Sequence, residues 1–217
     1  MPPKFIFVRH GEAEHNVAFH EHGNSVFTDP KFRDADLTPK GIQQAKELGA
    51  KLADVKVVSI WSSPLTRCIK TAEELYEGIH SCGSSGTLIL HDSLLERIGG
   101  GHECNERKPR YKLRKEFPCW DAKWLPELGP VWVPQENDIS LRGRMLSFVL
   151  LLNYMYRDLD TDSYIIIVSH GQSIASLIGK SLKNCEYVIM TLEEILDLGN
   201  TNSPSSAEDD FDRPETP

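Results

Sequence analysis

The stretch FIFVRHGEAEHN, residues 5–16, changes character abruptly after its fourth position. Phe5 to Val8 is a short apolar run bounded by proline and glycine, a pattern typical of a buried strand in a mostly parallel sheet. Arg9 and His10 follow directly. A strand that ends in this way delivers a guanidinium and an imidazole to the edge of the sheet, so we expect that edge to carry function.

Three further apolar runs predict strands of the same kind: VKVVSIW (55–61), TLIL (87–90) and YIIIVS (164–169). Helical patterns lie between them. Two helices are predicted by a cap followed by a first-turn proline: 39–54 with Thr38 as its N-cap, and one with Ser63 as its N-cap and Pro64 as its first residue. Two more are predicted at 139–157 and just after Gly171. Strands that alternate with helices indicate an α/β fold, here a three-layer sandwich with a mostly parallel sheet flanked by helices.

Two segments depart from this alternation. Residues 96–136 mix glycines, basic residues, prolines and three tryptophans, which predicts an irregular lid or insertion over one edge of the sheet. Tryptophans in such a segment most often pack against the domain, although a role in walling a substrate pocket stays open. Residues 200–217 lack apolar periodicity and are rich in serine, proline and acids, which predicts a disordered acidic tail after a folded domain of residues 1–199.

Composition and charge exclude several classes of protein. The net charge is −8, and residues 201–217 alone contain five acids and one arginine, so the rest of the chain is only mildly acidic; this argues against nucleic acid as a partner. No apolar run has the ~18 residues of a membrane span, and no secretory signal is visible, so we expect a soluble, cytoplasmic protein with no membrane partner. Five cysteines without a CxxC pair indicate neither a disulfide framework nor a zinc site.

Polar residues at the predicted strand ends form one constellation. Arg9 and His10 follow the first strand, and Arg67 lies in the first turn of the helix after the second strand. Glu96 comes after the strand TLIL, and His170 follows the strand YIIIVS. Ligands of open α/β sheets bind at the carboxyl ends of the strands, so these groups should converge. Two guanidinium groups beside imidazoles can hold a dianion such as phosphate, and the N-termini of the following helices would add to this cradle.

An imidazole in such a cradle can attack phosphorus and form a covalent phosphohistidine. The leaving oxygen then needs a proton. Glu96, in a partly desolvated pocket, is a candidate general acid that would act as a base toward water in the second step. This scheme requires no metal and no cofactor.

Four ordered blocks together resemble the histidine phosphatase superfamily, the phosphoglycerate-mutase-like group: RHGE (9–12), LTPKGIQQA (37–45), SSPLTRCIKT (62–71) and VSHGQS (168–173). The resemblance implies that His10 is the phosphorylated nucleophile and that Arg9, Arg67 and His170 clamp the phosphate. It also implies that Asn16 and Gly171 lie at the phosphate. The region LLERIGGGHECNERK (94–108) is similar to a pattern in a eukaryotic and plant phosphatase subgroup, which places the acid at Glu96.

The resemblance leaves three functions open. The first is a phosphomonoester hydrolase, of the histidine acid phosphatase type, that acts on a small phosphorylated substrate. The second is a phosphoglycerate mutase, but cofactor-dependent mutases carry a Glu-Arg-His-Tyr-Gly block where this chain has Leu-Glu-Arg-Ile-Gly, so hydrolysis is favoured. The third is a non-catalytic phosphate-binding protein, which is disfavoured because every motif position is filled. The substrate and the oligomeric state stay open.

Two other groups of residues invite a functional interpretation. His15, His20 and His22 suggest a metal site, but a loop of exposed or hydrogen-bonded histidines is the favoured interpretation, as it is for His102 and Cys104. The segment RKPRYKLRK (107–115) has six basic residues in nine. It is most often a solvated face; alternatively, it is an electropositive collar that attracts polyanionic substrates, which the acidic tail would cover.

Overall fold

The computed structural model describes residues 3–80, 87–129, 135–160 and 162–201. A five-stranded sheet has the strand order β3-β2-β4-β1-β5. The strands are β1 (Lys4–Arg9), β2 (Lys56–Ser62), β3 (Thr87–Leu90), β4 (Ser163–Ser169) and β5 (Tyr187–Met190). The first four strands pair in parallel, whereas β5 pairs antiparallel with β1 at one edge. The predicted α/β class and its mostly parallel sheet are confirmed.

Within these ranges, seven α-helices surround the sheet. They are α1 (Glu14–His22), α2 (Pro39–Lys51), α3 (Thr66–His80), α4 (Arg110–Glu116), α5 (Asp138–Met155), α6 (Gly171–Ile178) and α7 (Leu192–Thr201). Alternating side chains of each central strand enter two separate cores. Ile6 and Val8 pack in the core that holds α2 and α3, while Phe5 and Phe7 pack in the core that holds α5, α6 and α7. The predicted three-layer arrangement is therefore confirmed.

The starts of the helices were predicted with mixed success. The Thr38 hydroxyl accepts a hydrogen bond from Gly41 N at 3.0 Å and Pro39 opens α2, as predicted. The prediction that Ser63 and Pro64 start the next helix is wrong, because α3 begins at Thr66. The buried carboxylate of Asp34, from a distant loop, accepts from Thr66 N at 2.7 Å and from Thr66 Oγ at 2.6 Å.

The segment 96–136 is less irregular than predicted, because it contains α4. It is anchored by two arginines whose side chains are largely buried. Arg107 forms an ion pair with Asp92 at 2.7 Å. Arg144, on α5, pairs with Glu136 at 2.7 Å and donates to the carbonyl oxygen of Leu95 at 2.9 Å, so it ties together the two ends of the segment.

The tryptophans have different environments. Trp61 is fully buried in the core beside α5, as its position within a strand predicts. Trp120 is buried and donates to Glu73 at 3.1 Å, whereas Trp124 is 40% exposed. Trp132 and the tail residues 202–217 lie outside the described residues. None of the helices in the described ranges is long and apolar enough to cross a membrane.

Candidate active site

A pocket opens at the carboxyl ends of β1 and β4, between α1, the start of α6 and the segment 96–136. Six residues proposed from the sequence line it: Arg9, His10, Asn16, Arg67, Glu96 and Gly171. Further lining residues were not predicted to bind substrate: His15, Phe27, Arg97, His102, Cys104, Asn105 and Gln172. Groups that lie far apart in the sequence thus converge at one edge of the sheet.

His10 presents an unprotonated ring nitrogen to this pocket. Its Nδ1 lies 2.7 Å from the carbonyl oxygen of Gly11, which can only accept, so Nδ1 carries the proton. Nε2 is then the unprotonated nitrogen, and it accepts a hydrogen bond from Arg67 Nε at 3.3 Å. The ring is thereby held in the tautomer that leaves Nε2 as the nucleophilic atom.

A chain of hydrogen bonds fixes the backbone that orients His10. Gly11 N donates to the Thr71 hydroxyl at 3.0 Å, and that hydroxyl donates to the carbonyl oxygen of Arg67 at 2.7 Å. Position 11 also requires glycine, because a Cβ there would lie 2.5 Å from the carbonyl oxygen of Gly41. The end of β1 is therefore locked to both α2 and α3.

The electrostatic environment keeps His10 neutral. Burial, the positive charges of Arg67 and Arg9, and the neighbouring His15 hold the pKa of His10 well below its ordinary value of 6.5. The hydrogen bond to Gly11 acts in the opposite direction but is the weakest of these effects. A neutral imidazole retains the lone pair that nucleophilic attack requires.

Arg67 is the centre of the site and is only 1% exposed. Besides His10, its guanidinium donates to the carbonyl oxygen of Cys104 at 2.7 Å, to Asn105 Oδ1 at 3.1 Å and to His170 Nδ1 at 3.2 Å. All of these acceptors are neutral, so its positive charge remains available to an anion. Arg67 therefore joins the sheet edge to the segment 96–136.

Arg9 approaches the pocket across the start of α6. Its Nη1 donates to the carbonyl oxygen of Leu182 at 2.8 Å. A Cβ at position 171 would lie 3.3 Å from the Arg9 Cζ, so glycine there permits the close approach of the guanidinium plane. This contact explains the role of Gly171 better than direct phosphate binding does.

His170 is fully buried and is not among the residues that line the pocket, so its contact with the phosphate stays a prediction. Its ring is fully buried, with Nδ1 accepting from Arg67 and Nε2 lying 2.8 Å from the Ser63 hydroxyl. The ring also packs edge-on against His10, with centroids 5.2 Å apart. In this arrangement His170 positions Arg67 and His10.

Glu96 occupies the N-terminus of α6. Its Oε1 accepts from Ser173 N at 3.0 Å and from Arg97 N at 2.9 Å, while Oε2 accepts from Gln172 N at 3.2 Å. The N-termini of α6 and α3 were expected to bind phosphate. Carboxylates of the protein hold these amides instead, Glu96 at α6 and Asp34 at α3. The backbone amides at the start of α6 therefore fix the orientation of the Glu96 carboxyl group, which lines the pocket.

The histidines after His10 lie on helix α1 rather than in the predicted loop. His20 and His22 are exposed, whereas His15 is buried and lines the pocket. Beside it, Asn16 Oδ1 accepts from Ala13 N at 3.1 Å. Within the part of the chain that the structure describes, no group of three or more His, Cys, Asp or Glu side chains could hold a metal ion.

The first half of the segment 96–136 supplies the outer wall of the pocket. Arg97 Nε donates to Gln172 Oε1 at 2.8 Å, and the His102 ring lies 5.3 Å from the Phe27 ring. The block 94–108 contains Arg97 and His102 and resembles a phosphatase subgroup, but that resemblance assigned only Glu96 to the site. Their positions depend on tertiary contacts that no periodicity reveals.

The basic segment 107–115 is partly neutralised. Arg107 is buried, Lys108 contacts Glu116 at 2.8 Å, and Arg110 contacts Glu127 at 3.0 Å. Three of its six basic side chains are thus paired with carboxylates, which weakens the interpretation as an electropositive collar. The acidic tail that would cover it lies outside the described residues.

Comparison with known proteins places this site in a family context. Residues 5–190 match the model of the histidine phosphatase superfamily (branch 1). A probable phosphoglycerate mutase of Arthroderma benhamiae is 27% identical over 195 residues, which cover 78% of this chain and 55% of the relative. A probable phosphatase of Schizosaccharomyces pombe is 27% identical over 169 residues, which cover 76% of this chain and 52% of the relative. The chain therefore spans about half the length of these two relatives.

A solved structure shares the fold. A mycobacterial glucosyl-3-phosphoglycerate phosphatase in complex with VO3 superimposes with a TM-score of 0.59 at 19% identity. The match covers 86% of this chain and 90% of the other. Phosphatases and mutases thus both occur among the similar proteins.

Proposed function

The chain belongs to the histidine phosphatase superfamily, and we propose that it is a phosphomonoester hydrolase that acts through a phosphohistidine on His10. One observation carries this proposal. The unprotonated Nε2 of His10 faces the pocket beside the Arg67 guanidinium, while Nδ1 is held by Gly11. A neutral nucleophile beside fixed positive charge is the arrangement that attack on a phosphate dianion needs.

In the first step, the Nε2 lone pair forms a bond to phosphorus as the bond between phosphorus and the ester oxygen breaks. Arg9 and Arg67 neutralise the charge on the phosphoryl oxygens. Glu96 donates a proton to the leaving oxygen, which departs as an alcohol. We assign this proton to Oε2, because that oxygen accepts one hydrogen bond and Oε1 accepts more.

In the second step, water attacks phosphorus and the bond to Nε2 breaks, so that the electron pair returns to the imidazole. The Glu96 carboxylate takes the proton from water and is restored to its initial state. The products are an alcohol and inorganic phosphate. Every atom comes from the ester and one water molecule.

We propose a small phosphorylated substrate, because side chains of the segment 96–136 line the pocket beside the groups that would hold the phosphate. Arg97, His102 and Asn105 would contact the part of the substrate beyond the phosphate. Phosphoryl transfer to a second hydroxyl, as in a mutase, remains the alternative because several similar proteins are named as phosphoglycerate mutases.

The test is hydrolysis of an aryl phosphate and a panel of natural phosphomonoesters in the presence of a chelator. Wild-type protein should release inorganic phosphate, and His10→Ala should reduce the rate by at least roughly 10⁴-fold, the scale seen when a nucleophile is removed. Each reaction is repeated with 3-phosphoglycerate to detect transfer between hydroxyls. Transfer without release of phosphate would favour the mutase, and equal rates in the two proteins would refute His10 as nucleophile.

A further inference from the structure

His15 is a buried polar residue that the proposed mechanism does not use. It lies in the first turn of α1, is 5% exposed and lines the same pocket as His10. The centroids of the two imidazole rings are 6.0 Å apart. A phosphoryl group bound at His10 would therefore lie near both rings.

The neighbouring amide fixes the position of the His15 proton. Asn16 Oδ1 must be the oxygen that accepts from Ala13 N, so Asn16 Nδ2 is the atom that faces His15 Nε2, at 3.3 Å. Because the amide nitrogen can only donate, Nε2 of His15 is the acceptor. A neutral His15 then carries its proton on Nδ1.

That Nδ1–H has no acceptor among the residues that the structure describes. Among the described residues, His15 Nδ1 is one of a few buried side-chain nitrogen and oxygen atoms without a hydrogen-bond partner. A buried donor left unsatisfied is costly, and its presence in a binding pocket indicates a bound acceptor. Burial and the charges of Arg67 and Arg9 hold the pKa of His15 well below 6.5, so the ring donates as a neutral group.

We propose that His15 is a substrate-binding residue whose Nδ1–H donates to an oxygen of the phosphoryl group carried by His10. This inference rests on the proposed function and adds a neutral donor to the two arginines. Packing alone is the competing role, but packing does not account for an unpartnered ring nitrogen on a residue that lines the pocket. The proton stays on His15 throughout, so no bond is made or broken there.

Two substitutions separate donation from packing. In His15→Asn, the amide nitrogen lies the same number of bonds from Cβ as Nδ1, so the donor is kept. In His15→Phe, the ring is kept and the donor is removed. His20→Phe, at an exposed position of the same helix, is the matched control.

We expect His15→Phe to lower kcat/KM by about 10- to 100-fold, the scale of one hydrogen bond to a charged group, and His15→Asn to lose less than about fivefold. His20→Phe should match the wild type. Wild-type activity in His15→Phe, or equal losses in the two His15 variants, would overturn the proposal.

A binding measurement keeps the two proposals distinguishable. In wild-type protein labelled with ¹⁵N-histidine, titration with inorganic orthophosphate should move the His15 Nδ1–H resonance downfield, whether or not any ester is hydrolysed. Absence of hydrolysis with this shift present would refute the proposed function alone. Saturation of the site by phosphate without the shift would refute the role of His15. This measurement uses the wild-type protein, so it does not depend on the folding of any variant.

Discussion

The sheet edge and the segment 96–136 both line the pocket, but they hold their side chains in different ways. At the sheet edge, Arg9 and His10 end a central strand and Arg67 lies in the first turn of α3, so regular backbone fixes them. In the segment, Arg97 and Asn105 are held mainly by side-chain contacts. Under the proposed function, this difference places the nucleophile and the phosphate clamp on regular backbone, and the groups that would contact the rest of the substrate on side chains of the segment.

The two regions meet at Arg67 and Glu96. Arg67 donates hydrogen bonds to His10 at the sheet edge and to Asn105 in the segment. Glu96 is the first residue of the segment, and its side chain accepts a hydrogen bond from an amide at the N-terminus of α6. We therefore expect substitutions at these junctions to impair every substrate, and substitutions further along the segment to discriminate between substrates. The predictions below test this division.

Among the substitutions that test this division, Glu96→Gln should have the largest effect, because it keeps the hydrogen-bonding shape but removes the acid. For an alkyl phosphate, kcat/KM, which reports the first step, should fall by about 10²- to 10⁴-fold, the scale of general acid catalysis. For an aryl phosphate with a good leaving group, the first step needs less protonation and should fall less. Steady-state kinetics with both ester classes provide the measurement, and an equal small loss for both would remove Glu96 from the acid role.

Arg67→Lys should be next in size. Lysine keeps the charge but cannot contact His10, Asn105 and His170 together, because it lacks the planar fork of arginine. We expect kcat/KM to fall by about 10²- to 10³-fold for every substrate, the scale of losing one preorganised donor in a transition state. The check is a comparison across the substrate panel, where a loss confined to some substrates would break the division between the two regions.

Arg97→Gln tests the segment itself. Here we expect a change of about tenfold in kcat/KM that differs between substrates, because only groups beyond the phosphate would contact this side chain. Arg110→Gln is the matched control, since that arginine belongs to the same segment but pairs with Glu127 away from the pocket. A uniform loss in Arg97→Gln would show that the segment supports chemistry rather than specificity.

The smallest effect concerns pH. Because the pKa of His10 is well below 6.5, the nucleophile should stay unprotonated as the pH falls from 7 to 5.5, and activity should decline only when the pH reaches the lowered value. With correction for the ionisation of the ester, kcat/KM should lose less over this range than it would with a histidine of unshifted pKa. A histidine of ordinary pKa would lose about tenfold. The full pH profile of kcat/KM decides between them.

Acid should lower the stability of the fold, although it has little effect on the nucleophile in the same pH range. The pKa values of His10, His15 and His170 are all lowered by burial first, so the unfolded chain binds more protons than the folded chain below pH 6.5. The contribution of these histidines to the free energy of unfolding is therefore fully present above pH 6.5. It decreases as the pH falls toward their pKa values in the folded protein.

The sequence predicted the sheet edge far better than the segment. Strands such as Phe5 to Val8 are buried on both faces, so their apolar runs are easy to recognise in the sequence. Residues that directly follow these strands lie at the carboxyl edge of the sheet, where ligands bind. Strand β5 escaped notice because its residues alternate between exposed and half-buried positions at an edge. Helix α1 was missed because polar residues dominate it, and it has no apolar stripe.

The remaining errors share one physical cause. The Asp34 contact that starts α3, the Glu96 carboxylate at α6 and the Arg67 contacts to the segment all join residues more than 30 positions apart. Local propensity and periodicity carry no information about such pairs. The sequence motifs marked the candidate groups, and the tertiary structure shows which of them line the pocket.

The most direct test of the central claim is to trap the phosphorylated protein. Wild type and Glu96→Gln are mixed with an aryl phosphate and quenched at alkaline pH, and the site of phosphorylation is read by mass spectrometry and ³¹P NMR. The account predicts a stoichiometric phosphoramidate on His10 Nε2 that accumulates in the variant and is absent from His10→Ala. Turnover without a phosphorylated protein, or phosphate on any other residue, would contradict it.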